Sequence, residues 1–114
     1  MTIQINQINQ QFSTAPQISA EDIAEIAQLG FKTLINNRPD HEVGEAQPDS
    51  ASLKAAAEAA GLAYVYIPVI PNNIQADEVS AFAKAFSASE KPVLAFCRTG
   101  NRAGKLYQLA LGGA

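Results

Sequence analysis

Three short apolar runs, "FKTLIN", "LAYVYIPVI" and "KPVLAF", are each succeeded by a segment with helical patterning, and this alternation restricts the fold more than any other feature. Apolar, β-branched runs of this length bounded by turns read as strands, whereas apolar residues spaced three and four apart read as one face of a helix. The segments after the runs are of the second kind. "ASLKAAAEAAG" is rich in alanine and closed by Gly61, "ADEVSAFAKAF" sets Val79, Phe82, Ala83 and Phe86 on one face, and "RAGKLYQLAL" stops at a glycine pair. A further helix precedes them in "ISAEDIAEIAQLG", with Ser19 as N-cap, Asp22 three residues on, Ile23, Ile26 and Leu29 at helical spacing, and Gly30 as the stop. In the first dozen residues Ile3, Ile5, Ile8 and Phe12 recur among Gln and Asn, which predicts one or two half-exposed strands at a sheet edge. An edge hairpin followed by strand–helix units with right-handed crossovers implies an α/β fold. It is a three-layer sandwich, with a mostly parallel central sheet of four to five strands and helices on both faces.

At 114 residues the chain is read as one domain, residues 1–114, whose core needs neither disulfide nor structural metal. A net charge of −3 gives no electrostatic footprint for nucleic acid or an anionic membrane. One cysteine cannot pair internally, and with one histidine it cannot build a zinc site of the usual ligand count, so no metal or organic cofactor is expected. "MTIQINQINQQ" lacks the basic and apolar regions of a leader, and no apolar run approaches the roughly 18–20 residues of a membrane span. The expectation is a soluble, cytoplasmic protein whose cysteine is reduced. Nothing in the sequence fixes the oligomeric state.

In "VLAFCRTGNRAG", Cys97 closes a strand, Arg98, Thr99, Gly100 and Asn101 make a tight connection, and a helix begins near Arg102. Ligands of parallel α/β sheets bind outside the carboxyl ends of the strands. Gly100 allows a backbone conformation closed to other residues, so that successive amides can converge on an anion, and the helix N-terminus adds partial positive charge. The same field, with Arg98 and Arg102, favours a thiolate over a thiol at Cys97. Arg102 suits a two-pronged grip on an oxyanion, while Arg98 offers at least its amide. A lone cysteine more often packs as a small hydrophobe. A strand end followed at once by Arg, Thr, Gly, Asn and Arg is a poor apolar pocket, and the reactive reading is preferred.

Taken in order, "FSTAPQISAEDI", "INNRPDHE", "QP", "YIPV" and "CRTGNRA" resemble the phosphatase-like domain of bacterial beta-lactamase hydrolase-like proteins over nearly the whole chain. The resemblance implies a fold akin to the dual-specificity and tyrosine phosphatases. It further implies that Cys97 is the nucleophile, that Arg102 is a phosphate ligand, and that the amides from Arg98 to Arg102 bind the phosphoryl group of a small-molecule or phosphorylated substrate. One departure concerns loop length: tyrosine phosphatases place five residues between cysteine and arginine, and "CRTGNR" has four. Four is the spacing of rhodanese-type sulfurtransferases, to whose persulfide-carrying loop "FCRTGNRA" is also similar. A cysteine phosphatase is the leading expectation and a sulfurtransferase the alternative. A third reading is an inactive anion-binding or interaction module.

Phosphoryl transfer to a cysteine also calls for a general acid at the leaving oxygen. "YIPVIPNN" has no carboxylate where the resemblance would seek one. Asp40 is the chosen substitute, with His41, Glu42 and Asp77 behind it. It lies in "NRPDHEVGEAQPDS", a fourteen-residue polar segment broken by Pro39, Gly44 and Pro48 that is long for a compact domain. A "PD" pair also makes turns, and Asp77 beside Glu78 also suits the acidic first turn of a helix. Arg38 is expected either to bind an anionic substrate or to pair with a neighbouring carboxylate.

Overall fold

The computed structural model describes residues 3–42, 44 and 47–112. Its elements are β1 (Asn6–Gln7), β2 (Phe12–Ala15), α1 (Ala20–Gln28), β3 (Thr33–Asn36) and α2 (Ser50–Ala59). They continue as β4 (Ala63–Tyr66), α3 (Ala76–Ala88), β5 (Val93–Phe96) and α4 (Asn101–Tyr107), which runs on into a π-helical turn over Gln108–Gly112. The helix starts follow local chemistry. Ser19 and Asp22 form a reciprocal capping box, Asp22 N donating to Ser19 Oγ at 3.3 Å and Ser19 N to Asp22 Oδ2 at 2.9 Å. Asp49 caps α2 by accepting from Ser52 N at 2.8 Å.

The strands form one sheet in the order β1-β2-β5-β3-β4, parallel throughout except for the antiparallel β1–β2 hairpin. Register aligns Ala15, Phe96, Asn36 and Tyr66, so the four parallel strands end level and their carboxyl ends make one rim. Because strand side chains alternate between faces, β3 and β5 feed two separate cores. Leu34, Leu94 and Phe96 pack with Ile23 and Ile26 of α1 and Leu53 and Ala57 of α2. Ile35, Val93 and Ala95 pack with Phe82 and Phe86 of α3 and Ala103 and Leu106 of α4. In the second core Phe12 meets Phe82 and Phe86 edge-on and stacks flat on Tyr107, with ring centroids 4.1 Å apart.

One strand sits differently from expectation. β2 is not a half-exposed edge: it lies between β1 and β5 with all four residues buried, because β1 covers its outer side. The edge opposite β1 is β4, whose Tyr64 and Tyr66 spend their hydroxyls on hydrogen bonds to neighbouring segments. No helix among the described residues is long and apolar enough to cross a membrane.

Candidate active site

At the rim of the sheet the chain leaves β5 through Cys97 and enters α4 four residues later. Gly100 is the N-cap and adopts φ +94° and ψ −14°, a left-handed conformation that costs a side-chain-bearing residue about 1–2 kcal/mol. A Cβ there would also lie 3.4 Å from the carbonyl oxygen of Ala15, so β2 closes against the loop from behind. This turn directs the Gly100 N–H at Cys97 Sγ, 3.1 Å away. Cys97 is completely buried, with its sulfur as a hydrogen-bond acceptor inside the loop. Arg98, Thr99 and Asn101 are exposed on the loop, and the Arg98 carbonyl accepts from Gln17 N at 3.3 Å, which ties the loop to the segment after β2.

Arg102, in the first turn of α4, is buried, and its guanidinium is fixed from two directions. Nη1 donates to Glu42 Oε1 at 2.7 Å and to the Val69 carbonyl at 2.8 Å, and Nη2 donates to Glu42 Oε2 at 2.9 Å. Glu42 Oε2 also accepts from Arg38 Nε at 3.0 Å, and Arg38 Nη1 donates to Gln17 Oε1 at 2.8 Å. One carboxylate therefore bridges two buried arginines. The Arg102 guanidinium beside it, more than any other group, holds the Glu42 carboxyl below its ordinary range, and Arg38 adds to this against the opposing effect of burial. Glu42 occupies the Nη1–Nη2 edge of Arg102, and Nε has no partner among the described residues. The Nε edge is thus available to an oxyanion without breaking the ion pair.

The loop after β3 is built to present Glu42. Arg38 N donates to Asn36 Oδ1 at 2.8 Å, and Asn36 Nδ2 donates to the Tyr64 hydroxyl at 3.0 Å, which also contacts Ser50 Oγ at 2.8 Å. Asp40 belongs to this scaffold. Its Oδ1 accepts from Ser50 N at 2.7 Å, at the start of α2, and its amide donates to the Tyr66 hydroxyl at 2.9 Å. It makes no hydrogen bond to the Cys97 loop among the described residues. His41 is exposed with φ +62°, and Asp77 lies in the acidic first turn of α3. The structure therefore gathers Cys97, Arg98–Asn101, Arg102, Arg38 and Glu42 at one end of the sheet and anchors Asp40 at α2. Sequence reading had not singled out Asn37, which follows β3 and is fully buried. Its Nδ2 donates to the Ile67 carbonyl at 2.9 Å, and its Oδ1 finds no donor among the described residues. Nor had it marked the Val69 carbonyl, since no side-chain pattern advertises a main-chain acceptor.

Among the described residues no group of three or more His, Cys, Asp or Glu is placed to hold a metal ion. The site thus brings a buried cysteine sulfur, the Gly100 amide aimed at it and a fixed guanidinium to one end of the sheet.

Comparison with known proteins agrees with this architecture. A protein of Xylella fastidiosa described as a beta-lactamase hydrolase-like protein is 36% identical over 108 residues, which are 95% of this chain and 25% of the relative. The chain thus spans about a quarter of the length of that curated relative. Among solved structures, a candidate phosphatase from Neisseria meningitidis superposes with a TM-score of 0.82 at 41% identity, covering 90% of this chain and 72% of the other. TpbA from P. aeruginosa, solved in complex with pTyr, has a TM-score of 0.72 at 20% identity over 98% of this chain and 66% of its own, a likeness of fold. The family model for the phosphatase-like domain of beta-lactamase hydrolase-like proteins matches residues 4–114. The chain belongs to that family, and its mixed α/β sheet and helices are those of a phosphatase-like domain.

Proposed function

We propose that this chain is a cysteine-dependent phosphatase that hydrolyses a phosphate monoester through a cysteinyl-phosphate on Cys97. The observation that carries the reading is the Gly100 N–H donated to Cys97 Sγ inside a loop whose far end is the buried, carboxylate-fixed Arg102. In the first step the Cys97 thiolate attacks phosphorus in line, a sulfur–phosphorus bond forms, and the ester oxygen leaves with the bonding pair. Loop amides from Arg98 to Arg102 and the Nε edge of Arg102 stabilise the equatorial oxygens. A general acid protonates the leaving oxygen. Water then attacks phosphorus, releasing inorganic phosphate and restoring the thiolate.

Two carboxylates compete for the acid. Asp40 is the sequence-based candidate, and its attachment to Ser50 N would have to be exchanged for a place beside the leaving group. Glu42 is next to Arg102, but two arginines favour its ionised form, which suits orienting the guanidinium better than donating a proton. Asp40→Asn separates these roles: loss of activity on an ester with a poor leaving group, with activity kept on an aryl phosphate, assigns the acid to Asp40. Equal activity on both substrates removes it.

The four-residue interval between Cys97 and Arg102 favours one second reading, a sulfurtransferase that carries sulfane sulfur as a Cys97 persulfide. Wild type and Cys97→Ser are assayed with an aryl phosphate and, separately, with thiosulfate and cyanide. Phosphate release abolished by Cys97→Ser supports the phosphatase. Thiocyanate formation in its place supports the transferase. If neither substrate turns over while phosphate still raises the melting temperature, the site is an anion-binding module.

A further inference from the structure

An open groove of about 1420 Å³ begins at the Arg98–Arg102 segment, follows α4, and is walled on the other side by the chain leading into β1. Asn101, Lys105 and Gln108, at helical spacing i, i+4 and i+7, turn one face of α4 and its continuation toward it. Its charge is unlike that of the protein as a whole. The chain has 11 Asp and Glu against 8 Lys and Arg, yet the described residues lining the groove include Arg98, Arg102 and Lys105 and no carboxylate. Arg102 is held by Glu42, whereas Arg98 and Lys105 are exposed and form no ion pair among the described residues. Ile5, Ile74 and Leu109 add apolar surface to the same groove.

We infer that this groove selects the substrate, and that Lys105 is a second anion site within it. The ligand class is a phosphate monoester that carries a further anionic group and an apolar portion. The phosphoryl group would sit in the loop, the apolar portion against Ile5, Ile74 and Leu109, and the second anion at Lys105. Lys105 lies three residues beyond Arg102, a rise of about 4.5 Å along the axis of α4, and both line the same groove. Arg98, at the loop end of the groove, reinforces the same sign of potential. The inference rests on the phosphatase reading above for its substrate chemistry, while the groove and its charges stand on their own.

The test compares two aryl phosphates that differ only in a side arm ending in a carboxylate or in the uncharged carboxamide. The readout is the ratio of their kcat/KM values in wild type, Lys105→Gln and Lys105→Glu. Wild type should prefer the carboxylate by about 1.4–5-fold, the range of a solvent-exposed ion pair, and the preference should shrink as salt is raised. Lys105→Gln should abolish the preference and Lys105→Glu should invert it. No preference in wild type, or a preference that survives Lys105→Glu, overturns the inference, and a preference for the carboxamide marks the groove as an apolar subsite instead. If neither ester is hydrolysed, the phosphatase reading fails by itself. The same ratio is then read as Kd values on the same proteins: an inversion in Lys105→Glu upholds the anion site, and equal Kd values for the two esters overturn it.

Discussion

Replacing Glu42 by Gln keeps the shape of the side chain and one oxygen acceptor but removes the charge that two buried arginines share. The Arg102 side chain is 10% exposed, that of Arg38 6% and that of Glu42 14%. Hydrogen bonds to charged groups contribute about 1.5–3 kcal/mol each, and removing one partner of a fully buried ion pair costs about 3–5 kcal/mol. With one acceptor retained and some solvent reaching Glu42, the net loss should be about 2 kcal/mol at neutral pH, or about 8–12 °C in Tm for a domain of this size. Acid provides the check on mechanism. The folded-state pKa of Glu42 lies below its ordinary value of 4.5, so its contribution is complete above that value and is lost as pH falls through the lower, folded-state value. Thermal melts of wild type and Glu42→Gln should differ fully at pH 7, converge below pH 4.5, and coincide once Glu42 is protonated. Two melting curves that stay apart by a constant amount down to pH 3, or that never differ, would refute the ion-pair account.

Two further substitutions probe the loop and the core beneath it. Gly100→Ala puts a side chain on a left-handed backbone, so stability should fall by about 1–2 kcal/mol in urea unfolding. Phosphatase turnover should fall at least tenfold in the same variant, since the amide aimed at Cys97 Sγ moves with the turn. Phe12→Ala removes a fully buried ring that touches Phe82, Phe86 and Tyr107. It should cost about 3–5 kcal/mol, a large share of the stability of a domain this size, with a lowered urea midpoint as the measurement.

The helices and the loop were legible because their signals are local. Ser19 and Asp22 are three residues apart and cap each other, and Gly100 stands where the turn from β5 into α4 needs a positive φ. The half-exposed edge expected of the first dozen residues does not extend to β2, whose Ser13 and Thr14 follow them. Both are buried, between β1 and β5, a position set by strands far away in sequence. The tyrosines and valine of β4 suit an edge or a centre alike, and its place at the edge is set by pairing with β3 alone. At the site, Cys97 and Arg102 share one loop and could be paired by spacing. The four-residue interval from Arg38 to Glu42 was also visible, but the ion pair from Glu42 to Arg102 spans 60 residues and exists only once α4 packs beside the loop after β3. Asp40 was preferred to Glu42 on paper, and the hydrogen bond from the Ser50 amide that holds Asp40 at α2 was not visible there.

The central claim concerns the bond that Cys97 forms. Acid quench during turnover of an aryl phosphate, followed by mass spectrometry of the peptide holding Cys97, reads that bond directly. A phosphoryl adduct on Cys97 that appears with substrate, disappears after turnover and is absent from Cys97→Ser is the predicted result. Phosphate release without any such adduct, or a Cys97 that takes up sulfur from thiosulfate and never phosphorus, would contradict the account.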